Sequence, residues 1–178
     1  MDTILLGNLL SAAGSACDFV STSRKRADEM LIIQCITQVF FGFSYFVLKG
    51  YAAIAQNIVG ILRNIFALKK TENKGIETLL TILPIPMGLW MNNMGFMGLL
   101  PIVANVEYAC MVFKFKGNVK MIKLAYLINT VIYLFFNFAV KNYFMVISNI
   151  ILIFSIAIFL IRDKKNVEKT EKEDKMNE

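Results

Sequence analysis

Apolar runs of about 20 residues, the length that crosses a bilayer's hydrocarbon core as a helix, follow one another along almost the whole chain. Seven can be delimited: Ile4 to Val20, Met30 to Leu48, Gly50 to Leu68, Ile76 to Met91, Phe96 to Phe113, Leu124 to Val140 and Tyr143 to Ile161. The gaps are short and basic, with Arg24, Lys25 and Arg26 after the first run, Lys69, Lys70 and Lys74 after the third, and Lys114, Lys116, Lys120 and Lys123 after the fifth. The fourth run is the shortest and contains Pro84 and Pro86, residues that kink or break a helix, so a re-entrant loop competes there with a full crossing. Beyond Ile161 the pattern stops. The stretch RDKKNVEKTEKEDKMNE mixes both charge signs with almost no apolar residue, which predicts a solvated extension of the last helix or a disordered tail.

Basic residues near the ends of spans are retained on the cytoplasmic side, and this rule decides the fourth run. With seven crossings, all three clusters and the basic tail share one face, and only Lys49 and Lys141 fall on the other. A re-entrant fourth run would divide the clusters between both faces. The expectation is therefore seven spans with the amino end outside and the carboxyl end cytoplasmic. The first run lacks a basic n-region and a cleavage site, so it reads as a retained helix rather than a signal peptide.

Two of the runs share a register. KGYAAIAQNIVGILRNIFALKK and KNYFMVISNIILIFSIAIFLIR both open on Lys-x-Tyr and place Asn57 and Asn149 at the same depth, an offset of 92 residues from Lys49 to Lys141. The same offset pairs Ile36, Val39, Phe43 and Phe46 with Ile128, Val131, Phe135 and Phe138. Two Phe- and Ile-rich helices agree at apolar positions by chance, but a shared Lys-x-Tyr with a mid-helix Asn is harder to produce from composition. The expected architecture is an all-α membrane protein with a first three-helix repeat (1–70), a linker helix (71–93), a second three-helix repeat (94–162) and a charged cytoplasmic tail (163–178). A single linker helix makes the two halves parallel.

Composition narrows the class further. With 57% hydrophobic and 18% charged residues and a mean hydropathy of +0.58, a chain of 178 residues has too little polar surface to cover a soluble domain. The net charge of +6 lies in the clusters between runs, a topology signal rather than a nucleic-acid-binding face. Histidine is absent, no base accompanies a Ser or Cys nucleophile, and no metal-ligand cluster can be found, so no enzymatic activity, cofactor or metal is expected. Cys17, Cys35 and Cys110 each sit within an apolar run without CxxC spacing and read as packing residues.

Polar groups inside a span are expensive and mark candidate function. Asn57 and Asn149 each lie seven residues into their run, roughly 10 Å deep. A facing pair of amides offers donors and acceptors to a neutral polar solute from both sides. Gln56, Tyr51 and Tyr143 are read as lining the external approach to that site. Arg63 and Glu107 fall at matching depth and are expected to form an intramembrane ion pair, with snorkelling to the headgroups as the alternative for Arg63. Asp18, near the cytoplasmic end of the first run, is expected to reach the headgroups beside Arg24.

The stretch Gln56-Asn57-Ile58 through Arg63, the run LLPIVANVEYACMVFKFKG from Leu99 to Gly117 and the final Asn149 helix resemble the bacterial inner-membrane YgjV family, over roughly Leu5 to Lys165. That family is similar to the SWEET and PQ-loop group of small transporters, although the first helix here carries no Pro-Gln pair. The resemblance implies a bacterial cytoplasmic membrane location, a SWEET-like 3+1+3 bundle, and a solute held between paired asparagines, Asn57 and Asn149. Two functions stay open. One is a transporter of a small polar solute by alternating access at a midplane site. The other is a non-transporting scaffold, sensor or assembly protein whose polar residues only join helices, at around 1 kcal/mol each. Membrane lipid and a small solute are the expected partners, nucleic acid is not, and the pattern is compatible with a homo-oligomer.

Overall fold

The structure, a computed structural model, describes residues 2–69 and 73–176, with side chains as far as residue 163. Its elements are α1 (Thr3–Ser23), α2 (Ala27–Val47), α3 (Tyr51–Leu68), α4 (Lys74–Ile82), α5 (Pro84–Met91), α6 (Leu99–Lys114), α7 (Val119–Ala139) and α8 (Tyr143–Met176), with a 3-10 turn at Gly95–Gly98 leading into α6. No strand occurs among the described residues. Thr3–Ser23, Ala27–Val47, Tyr51–Leu68, Gly95–Lys114, Val119–Ala139 and Tyr143–Asp163 are each long and apolar enough to cross a bilayer. Of the two expectations for the charged tail, the helical extension is the one observed, since α8 continues to Met176. Lys70, counted among the loop cations, lies outside the described residues.

Side-chain caps fix several helix starts. Asp2 accepts a hydrogen bond from the Ile4 N–H at 3.1 Å, Asn73 accepts from the Gly75 and Ile76 N–H groups, and Asn118 accepts from Met121 at 3.2 Å. The Asn118 cap starts α7 at Val119 instead of Leu124, which moves Lys120 and Lys123 out of the expected loop and into the helix. Lys123 is buried with its ammonium 3.5 Å from the centroid of the Phe159 ring, and Lys120 reaches Asp163 at 2.5 Å.

The proline-bearing fourth run is one rod with a kink. Leu83 keeps helical torsions, its N–H donates to the Leu79 carbonyl at 2.8 Å, and Met87 donates to Leu83 at 3.4 Å. Pro84 and Pro86 can donate nothing, so the helix bends without ending. Counted as a single rod, α4 and α5 bring the bundle to seven helices among the described residues. From Lys74 to Met91 the rod is about 27 Å long at 1.5 Å per residue. It is tied at one end by the Glu77–Lys116 ion pair and at the other by Asn93, whose Nδ2 donates to the Lys49 carbonyl at 2.8 Å.

Around the bundle α1 packs on α2, α2 on α3, α3 on α6, α6 on α7, α7 on α8, and α8 returns to α1, forming a closed ring of six helices. The kinked rod lies against α3 and α6. Short connections make successive helices antiparallel, so Arg24 to Arg26, Lys69 and Lys116 gather at one end, here the basic end, and Lys49 and Lys141 occupy the opposite end. The two turns at the opposite end are closed by the same bonds. Lys49 and Lys141 both adopt the left-handed region at φ 59°, the Gly50 N–H donates to Tyr45 at 2.8 Å, and the Asn142 N–H donates to Asn137 at 2.9 Å. This is the Schellman closure, with lysine at the position glycine usually fills.

Small side chains set the helix separations. Ala53, Ala55, Ala104, Ala109 and Ala125 are fully buried, letting backbones approach closely. Gly88 is a close contact of the rod, because a Cβ there would lie 2.4 Å from Gln56 Nε2 and 2.5 Å from Ile102 Cγ1. Gly88→Val is therefore expected to destabilise the detergent-solubilised protein by about 1–3 kcal/mol. An unchanged melting temperature would mean that the rod is not held at this point. Outward, Trp90, Phe43, Phe46, Phe135, Phe138 and Phe154 are exposed, so the bundle is apolar outside while its polar residues point inward.

Candidate functional site

The ring encloses a polar cavity of about 70 Å³ to which all six helices contribute: Asp18 from α1, Gln34 from α2, Asn57 and Arg63 from α3, Asn105 and Tyr108 from α6, Tyr126 and Tyr133 from α7, and Asn149 from α8. At roughly 10–15 Å³ per water, this is room for about five waters. Met30, Leu31, Val112 and Ile122 form an apolar layer towards the basic end, and Phe41, Tyr45, Phe136, Val140 and Met145 form one towards the opposite end. Polar bridges across the ring reinforce both layers. Tyr126 donates to Asp18 Oδ2, the Tyr108 hydroxyl donates to Gln34 Oε1 at 2.9 Å, and the Tyr45 hydroxyl donates to Asn137 Oδ1 at 2.8 Å.

Asn57 and Asn149 are each the seventh residue of their helix, 7% and 3% exposed, and both line the cavity. The Nδ2 group of each has no hydrogen-bond partner, a state that costs about 1–3 kcal/mol for a buried donor. Gln56 also lines the cavity but is occupied: its Nε2 donates to the Pro84 carbonyl at 2.9 Å and its Oε1 accepts from Asn105 at 3.1 Å. It joins α3 to the kink of the rod and to α6. Tyr51 and Tyr143 do not line the cavity. Each is the first residue of its helix, and Tyr143 is 52% exposed.

The expected Arg63–Glu107 ion pair is absent. Arg63 is 2% exposed, donates through Nη1 to Asn105 Oδ1 and through Nε to Asn64 Oδ1 at 3.1 Å, and lies 4.5 Å over the Tyr108 ring. Burial this deep also excludes snorkelling. Glu107 stands two residues beyond Asn105, about 200° further round α6, so it cannot occupy the position that Asn105 fills. It is half-buried, with Oε2 unpartnered.

Asp18 is a second correction. Instead of reaching headgroups it is 1% exposed within the cavity wall, with Oδ2 bonded to Tyr126 and Oδ1 unpartnered. A signal for this was present in α1, where Gly7, Ser11, Gly14, Asp18 and Ser21 recur at three- and four-residue spacing and form its buried face. Gln34, Tyr108, Tyr126 and Asn137 were also missed, because a single amide or phenol in an apolar run does not declare which neighbour it faces.

A closed helical bundle that is apolar outside, polar inside and built from membrane-length helices is a multi-pass membrane protein. Residues 5–167 match the family model Imp-YgjV, a bacterial inner membrane protein family, and the chain belongs to that family. No curated protein and no solved structure shows a significant match to it.

Proposed function

We propose that the protein transports a small polar solute across the bacterial inner membrane by alternating access to the cavity. The observation that carries this reading is the pair of unpartnered amides, Asn57 and Asn149, at the same depth in α3 and α8 within a cavity that lies between two apolar layers. The amides of Gln56 and Asn105, which join helices, have their donors satisfied, and the unpartnered Asn137 Nδ2 lies outside the cavity wall, whereas Asn57 and Asn149 present unpartnered donors within it. The scaffold reading therefore accounts for the Gln56 joint and leaves Asn57 and Asn149 unexplained. The matching turns at Lys49 and Lys141 support a duplicated 3+1+3 architecture like that of the SWEET and PQ-loop group, with the rod as linker and seventh span. Exchanging the proposed halves turns the α3–α6 contact into the α8–α1 contact, and both are present. Moving the two halves against each other would open the layers in turn.

Solute uptake into proteoliposomes tests the reading, with Asn57→Ala and Asn149→Ala each expected to abolish uptake while leaving yield and monodispersity near wild type. Normal uptake through both variants, accompanied by loss of stability, would assign these residues to helix joining. The basic end is placed in the cytoplasm by the positive-inside rule. Reporters fused after Lys116 and at the carboxyl terminus are expected to read cytoplasmic and one inserted at Asn93 external, and an external carboxyl terminus would overturn the seven-span topology.

A further inference from the structure

We propose that the solute is a small zwitterion, an amino-acid-like molecule whose carboxylate lies on the Arg63 and amide donors and whose ammonium lies on Asp18; this rests on the transport reading of the same cavity. The unpartnered groups of the cavity wall define what would complete it. The donors are Gln34 Nε2, Asn57 Nδ2 and Asn149 Nδ2, beside the guanidinium of Arg63, which also lines the cavity. The acceptor is Asp18 Oδ1. A donor-rich wall carrying one guanidinium matches a carboxylate, which only accepts and has about four lone-pair sites.

Asp18 makes the opposite demand. Its only partner is a neutral phenol and it forms no ion pair, and a carboxylate buried this deeply is held in its charged form only by a cation beside it. Arg63 does not serve it, being held by Asn64, Asn105 and Tyr108. A ligand ammonium supplies both the missing charge and up to three donors. An anion alone leaves Asp18 without a cation, a cation alone leaves the amide and guanidinium donors unfilled, and a polyol hydroxyl supplies no charge to Asp18. A zwitterion answers both and keeps the net charge of the occupied cavity unchanged. The volume of about 70 Å³ restricts it to the smallest members of the class.

The test is binding to the purified full-length protein, by thermal shift and titration calorimetry, of glycine, alanine and serine beside acetate, methylammonium and glycerol. At least one zwitterion is expected to raise the melting temperature, with the three comparators inert at equal concentration. Asp18→Asn, which keeps the size of the side chain and an acceptor for Tyr126, is expected to weaken zwitterion binding by at least about 30-fold. The wild-type comparison stands by itself if that variant fails to fold. Binding of glycerol or acetate as tight as that of any zwitterion, or no binding by all three zwitterions, overturns the assignment. Uptake of glycerol into proteoliposomes with no binding of zwitterions would overturn the substrate class and leave transport intact, whereas absence of uptake for every probe, including any zwitterion that binds, would overturn the transport reading.

Discussion

Replacing Arg63 with alanine is expected to lower the melting temperature of the detergent-solubilised protein by about 10 °C, the largest effect of any single substitution in the cavity wall. Arg63 is the donor to both Asn105 Oδ1 and Asn64 Oδ1, and its guanidinium covers the Tyr108 ring. Truncation leaves two buried amide oxygens without that donor, at about 1–3 kcal/mol each, and opens a void where the side chain lay. The combined cost is about 3–5 kcal/mol. Reversing charges with Glu107, as Arg63→Glu with Glu107→Arg, is expected to rescue nothing, because the two residues make no ion pair. Restoration of wild-type stability by that double variant would reinstate the pair.

Tyr45→Phe is expected to loosen the layer at the opposite end. The Tyr45 hydroxyl supplies the bond to Asn137 Oδ1, and Asn137 Nδ2 is already unpartnered, so the substitution leaves a fully buried amide with no bond at either end. At about 1–3 kcal/mol for the lost partner, a closed state held by this bridge should give way to one open at that end by roughly tenfold or more. In a background without native cysteines, Asn149→Cys would report this as faster modification by a membrane-impermeant thiol reagent applied from the Lys49 side. A scaffold with no opening motion would show lower stability and an unchanged labelling rate, and that result would remove Tyr45 from the gate.

The outlines of the helices were legible because a span declares itself by length and composition alone. Seven apolar runs correspond to the seven helical rods, and the basic clusters mark one end of the bundle. The helix start that moved most, that of α7, did so because one asparagine cap and a lysine lying on an aromatic ring outweigh the polarity of Lys120 and Lys123. Pro84 and Pro86 announced a disturbance without saying which kind. A kinked rod results because Leu83 keeps helical torsions and Gln56 satisfies the Pro84 carbonyl from a neighbouring helix.

By itself, then, the sequence determined the class of the protein, its helices, and the polar residues that had to be accommodated at membrane depth. The tertiary structure alone decided what each polar residue faces. Arg63 could be placed at the depth of Glu107 from residue numbers, but depth is one coordinate, and rotation about α3 and α6 gives Arg63 to Asn105 instead. Asp18 lies on a stripe legible in α1, yet its partner Tyr126 lies 108 residues away. The physical reason is that a span's position along the membrane normal follows from local hydrophobicity, whereas its neighbours and rotation follow from the packing of small residues and buried hydrogen bonds among helices distant in sequence.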